Sequence, residues 1–166
     1  MTAPVSPRLL DDLGDTPEQA AARLAQEVDA FEAAARAREA DWLTRPRPGA
    51  WSPAQLTEHV LLANASFGKV VHLLGSGRPL PEGPRVPSTI TNGKVAAPSF
   101  LLPGPGAPWA ELELRWREAH ARFLQAAGQP SNPARLFWHP SFGDLDALGW
   151  TRAAAWHTRH HRRQLS

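Results

Sequence analysis

The chain has 166 residues, enough for one domain with a hydrophobic core and too few to expect two. It contains no cysteine, which excludes disulfides, thiolate metal sites and a protein thiol nucleophile, so any metal has to be held through nitrogen or oxygen. The net charge is only +2, and the pI of 9.9 follows from having no Tyr or Cys to titrate between histidine and lysine, so neither supports a nucleic-acid partner.

Residues Met1 to Pro7 include prolines and lack the apolar core of a secretion signal, and no apolar run approaches the ~18 residues of a membrane span. The expectation is a cytoplasmic protein with no membrane association. Up to Asp15 the pattern is mixed, with Leu9, Leu10 and Leu13 available to pack one short turn against the body.

Thr16-Pro17-Glu18-Gln19 announces a helix: Thr16 caps, Pro17 takes the first helical position and Gln19 completes a capping box. Leu24, Val28, Phe31, Ala35 and Trp42 keep the three-four spacing of a buried seam, which predicts a helix from Pro17 to about Leu43. Arg45-Pro46-Arg47-Pro48-Gly49 then forbids continuation. Ser52-Pro53-Ala54-Gln55 repeats the start signal, and the second helix is expected from Pro53 to about Leu74. Leu56, Val60, Ala63, Phe67, Val70 and Leu74 form its inner stripe. His59 falls on the edge of that stripe and can look into the interior from a flank.

Between Gly75 and Pro108 the periodicity disappears and about half of the chain's 17 prolines are found. Long connections without periodicity are often functional lids or crossovers. Within this one, Ser88 to Val95 carries an Asn92-Gly93 turn signal, so a small two-stranded ribbon is expected. Trp109, Leu112, Trp116, Ala119 and Phe123 predict a third helix over 109–127, with Glu113 and Arg117 paired on its surface and Gly128 and Pro130 as its stop. After a second loop, Asp144 is the expected cap of a fourth helix. Its seam is Trp150, Ala154, His157, His161 and Gln164. Four amphipathic helices with a long second connection read as an all-α four-helix bundle whose crossover loop carries a small β-hairpin.

His157 and His161 sit one turn apart on a seam, where unpaired imidazoles would be costly to bury, and with His59 they make a candidate metal site. Zinc, nickel and similar ions accept neutral imidazole nitrogens, and three protein ligands leave a position open for water or substrate. The bland alternative is a solvated basic face at the chain's end. His160 lies off the seam and is assigned to the rim. Glu58 reads as a solvated carboxylate, with orientation of a ligand as the sharper alternative. His72, His120 and His139 read as surface or packing histidines, and Trp51, Trp138, Trp150 and Trp156 as core or loop anchors. Arg152, Arg159, Arg162 and Arg163 suit the negative end of the helix dipole, and an anionic substrate at the mouth is their sharper reading. No residue is assigned a catalytic role.

Several of these runs resemble a known family. Arg47-Pro48-Gly49-Ala50-Trp51-Ser52, Gln55 and His59-Val60, then Ser141-Phe142-Gly143, Leu148-Gly149-Trp150 and the stretch from Trp156 to Leu165 resemble the DinB-like superfamily, specifically its YfiT-like branch of metal-dependent hydrolases. The resemblance implies a four-helix bundle with nickel or zinc held by one histidine of the second helix and two of the fourth, here His59, His157 and His161. It implies a small-molecule substrate, either hydrolysed or joined to a low-molecular-weight thiol such as bacillithiol, and a homodimer in several members. Where branch members carry an acidic residue soon after the helix-two histidine, this chain has Ala63-Asn64-Ala65-Ser66. A non-catalytic metal-binding or stress-response module on the same bundle is the alternative.

Overall fold

A computed structural model describes residues 3–166. Four helices carry the architecture: α1 (Pro17–Arg36), α2 (Pro53–Gly75), α3 (Trp109–Ala127) and α4 (Ala147–Arg162). Two short hairpins punctuate the connections. The first, β1 (Ile90–Thr91) with β2 (Lys94–Val95), closes over Asn92 and Gly93, both at positive φ, as the Asn-Gly signal requires. The second, β3 (Phe137–His139) with β4 (Gly143–Leu145), immediately precedes α4.

The helix starts form where local chemistry satisfies the first free N–H groups. Ser52 Oγ accepts the Gln55 N–H at 3.2 Å while Gln55 Oε1 accepts the Ser52 N–H at 3.1 Å, a complete capping box at α2. At α1 the Thr16 hydroxyl accepts the Gln19 N–H at 3.2 Å, but the Gln19 side chain reaches back to the Asp15 N–H rather than to Thr16.

Two expected boundaries move. Helix α1 ends at Arg36, not near Leu43, and the chain continues as a 3-10 turn over Glu39–Asp41. Long-range bonds set this end: Arg38, which also pairs locally with Asp41, donates to the Leu165 carbonyl at 2.7 Å, while Trp42 Nε1 donates to the Ala107 carbonyl at 2.9 Å. The cap of α4 is Asp146, whose Oδ1 accepts the Gly149 N–H at 2.8 Å. Asp144 instead lies in β4 opposite Trp138 and pairs with Arg85 at 2.7 Å.

Helices α1 and α2 each pack against both α3 and α4, so the sequence neighbours α1/α2 and α3/α4 face one another across the diagonals. The core between them holds Leu24, Phe31, Val60, Leu112, Trp116, Phe123 and Trp150, with Phe31 stacked on Trp116 at 5.4 Å between ring centroids. Leu10 and Leu13 join it from the N-terminal segment, whereas Leu9 stays exposed. Toward the end of α2 the buried valine is Val71 rather than Val70, which is half-buried. Among the described residues no helix is long and apolar enough to cross a membrane.

Candidate metal centre

His59 lies in the second turn of α2, and His157 and His161 lie in the last two turns of α4. The two helices run antiparallel side by side, so these ends meet. His157 Nε2 stands 3.1 Å from His59 Nε2 and 3.1 Å from His161 Nε2, and one nitrogen from each ring lies within 4.8 Å of the others. No other His, Asp or Glu joins this group among the described residues.

The outer nitrogens decide what the inner ones offer. His59 Nδ1–H donates to the Leu101 carbonyl at 2.7 Å, and His161 Nδ1–H donates to Gln164 Oε1 at 2.8 Å. In a neutral imidazole the other nitrogen then carries a lone pair. Two lone pairs therefore face His157 Nε2, which can supply at most one proton to the two of them. A cation satisfies all three. Nitrogens bound to one ion at about 2.0–2.1 Å with angles between right-angled and tetrahedral lie about 2.8–3.4 Å apart, and both 3.1 Å separations fall in that interval. The cluster can hold a metal ion.

Burial favours the neutral, ligating form of each ring. His59 is 3% and His161 9% exposed, and His157 keeps some surface although its Nδ1 is buried without a partner. Desolvation, and then the neighbouring imidazoles, push His157 well below its ordinary pKa. Desolvation and the nearby His59 lower His161 to about 3, although the bond to Gln164 works the other way. His59 is also lowered, mainly by burial and against the bond to Leu101. The Trp51 ring covers this face, 4.7 Å from His59 and 6.3 Å from His161.

His160 is exposed and stacks on Trp156 at 5.4 Å, on the rim where its helical angle puts it. His139 is a packing residue, wedged against Phe67, Phe142 and Trp150, and its Nδ1 accepts the Ser141 and Phe142 N–H groups of the β3–β4 turn. Glu58 is not a freely solvated carboxylate: it is half-buried and accepts the Gly104 N–H at 3.2 Å. Three of the four arginines turn toward acidic groups, pairing Arg152 with Asp15, Arg159 with Asp12 and Arg162 with Glu27.

A buried polar cluster escaped the pattern of the sequence. Asn64 Nδ2 donates to His120 Nε2 at 3.0 Å and to the Thr158 hydroxyl at 3.1 Å, joining α2, α3 and α4 one residue from His157. Only the lone Asn64 between Ala63 and Ala65 on α2 could have signalled it.

This bundle matches the family model described as the DinB superfamily over residues 18–165. The chain belongs to the DinB superfamily. A similar solved structure is titled "Crystal structure of TT2238, a four-helix bundle protein"; it is 30% identical, with a TM-score of 0.63, and the match covers 90% of this chain and 98% of that one. No curated protein matches the chain by sequence. The family match takes in both α2 and α4, so the three histidines of this DinB-superfamily bundle lie wholly inside it.

Proposed function

We propose that the protein is a metal-dependent enzyme of the YfiT-like type, a hydrolase or a low-molecular-weight-thiol S-transferase, with His59, His157 and His161 as ligands of a zinc or nickel ion. The observation that carries the reading is the convergence of three Nε2 atoms, two of them fixed as lone pairs by Leu101 and Gln164. Three protein donors without a fourth is the ligand count of catalytic rather than closed structural sites. When bound, such an ion lowers the pKa of a water or thiol enough to make a nucleophile near neutral pH.

The chain's own residues supply the rest. The Leu101 carbonyl and Gln164 hold two rings in the ligating tautomer, and Trp51 excludes water from one side. Without cysteine the nucleophilic sulfur of a transfer reaction has to come from an external thiol. The substrate is a small molecule, and a homodimer is the assembly the branch suggests.

Metal content by mass spectrometry, with a thiol-transfer assay on a small electrophile run with and without zinc or nickel, tests the proposal. His157→Ala is expected to lose the metal and the activity together; full activity in that variant would sink it. Stoichiometric metal with no turnover of hydrolysis or transfer substrates would favour the non-catalytic module, consistent with how little of His59 and His161 meets solvent.

A further inference from the structure

The crossover segment between α2 and α3 is tied to the body at several points, among them Arg85 to Asp144, Ser88 to Pro140 and Ala107 to Trp42, and its attachments nearest the candidate metal centre are at Leu101 and Gly104. Leu101 ends a 3-10 turn over Ser99–Leu101 with its side chain in the core, while its neighbours Phe100 and Leu102 are 68% and 51% exposed. Three residues on, both backbone groups of Gly104 are taken by one face of α2. Its N–H donates to Glu58 Oε2 at 3.2 Å and its carbonyl accepts from Gln55 Nε2 at 3.0 Å. Gln55 and Glu58 are three residues apart and so share a helix face. The residue after Glu58 is His59, whose Nδ1–H is held by the carbonyl that this arrangement fixes.

The segment is thus pinned at Leu101 by its buried side chain and three residues on at Gly104, next to the one backbone oxygen that sets the tautomer and ring orientation of His59. We propose that Glu58 is a positioning residue for the metal centre: by holding Gly104 it fixes the Leu101 carbonyl, so that ion affinity and attachment of the crossover segment form one coupled equilibrium. The inference rests on the metal-site reading above. Groups that orient a metal-bound histidine alter affinity by about 10- to 100-fold when removed. Coupling is also reciprocal, so a bound ion holds the segment more firmly in turn.

The test is a titration of the metal-free protein with zinc, and separately nickel, against a chromophoric chelator. Glu58→Ala and Glu58→Gln are compared with the unmodified chain, and amide hydrogen exchange is followed over residues 99–104. Glu58→Ala is expected to bind about tenfold or more weakly. Glu58→Gln, which keeps an oxygen acceptor for the Gly104 N–H, is expected to restore most of the affinity. Exchange over 99–104 should slow on adding metal to the unmodified chain and slow less in Glu58→Ala. Equal affinity in Glu58→Ala, even with a lowered melting temperature, would overturn the positioning role and leave the metal site standing. Equal weakening in both variants would also overturn it, because the acceptor would then not be what matters. An unmodified chain that binds neither ion would bring down the metal reading, and this inference with it.

Discussion

At the scale of single residues, the histidines divide by what their second nitrogen meets. His59 and His161 give their Nδ1–H groups to oxygens and turn lone pairs inward, whereas His139 does the reverse, accepting two backbone N–H groups at Nδ1. His120 donates from Nδ1 to the Trp116 carbonyl and accepts from Asn64 at Nε2. Burial lowers His120 and His139 to about 4, and burial with the nearby His59 lowers His161 to about 3. An unfolded histidine titrates near 6.5. Above that pH both states are neutral and the rings add nothing to the pH dependence. Between about 6.5 and 4 the unfolded chain binds protons that the folded chain refuses, so stability falls as pH falls, by up to about 1.4 kcal/mol per pH unit for each such ring. Urea unfolding of the metal-free protein should therefore give a nearly constant free energy from pH 8 to 7 and a steep loss from 6.5 to 5. Carboxylates titrate mostly below that window. A flat profile across it would contradict the burial of these rings.

At the scale of elements, what was legible in the sequence is what local chemistry decides. Thr16, Pro17, Ser52 and Pro53 mark helix starts within a few residues, and α3 runs over the residues its spacing predicts. The end of α1 was not legible, because Arg38 and Trp42 are held by Leu165 and Ala107, far along the chain. The β3–β4 hairpin is not legible in the sequence because its strands are too short to show alternation, and its turn depends on His139 accepting two backbone N–H groups. Without a visible hairpin Asp144 reads as the α4 cap, whereas Asp146 is the residue that caps. The correction separates two neighbouring carboxylates by experiment. Asp146→Ala removes a side-chain cap and should cost about 1 kcal/mol, within the usual 0.5–2. Asp144→Ala breaks a surface pair with the exposed Arg85, which should cost under about 1 kcal/mol and often nothing measurable. Denaturant midpoints of the two variants check this, and a larger loss in Asp144→Ala would mean that the hairpin, not the cap, limits the start of α4.

At the scale of the whole molecule, the three-histidine cluster forms because α2 and α4 are adjacent and antiparallel while sequence neighbours lie across diagonals. His157 and His161 were legible as seam positions, and His59 as the flank of a stripe, because helical angle alone places them. The Leu101 carbonyl and the Gly104 anchor were not, since a backbone oxygen from a segment without periodicity leaves no mark in side-chain pattern. An ion held by the trio would tie together two helices whose ligands stand 98 residues apart between His59 and His157, so it would bind the folded chain and not the unfolded one. Free ion at a hundred times its dissociation constant then adds about 2.7 kcal/mol. For a chain of this length each kcal/mol moves the melting temperature by about 2–4 °C, which predicts a rise of about 5–11 °C on saturation with zinc or nickel. His157→Ala should abolish that rise, because His157 Nε2 is the atom both other rings approach. His160→Ala should retain it, because that ring stacks on Trp156 at the surface. Equal rises in the unmodified chain and in His157→Ala, followed by differential scanning calorimetry, would place the stabilising ion somewhere other than between α2 and α4.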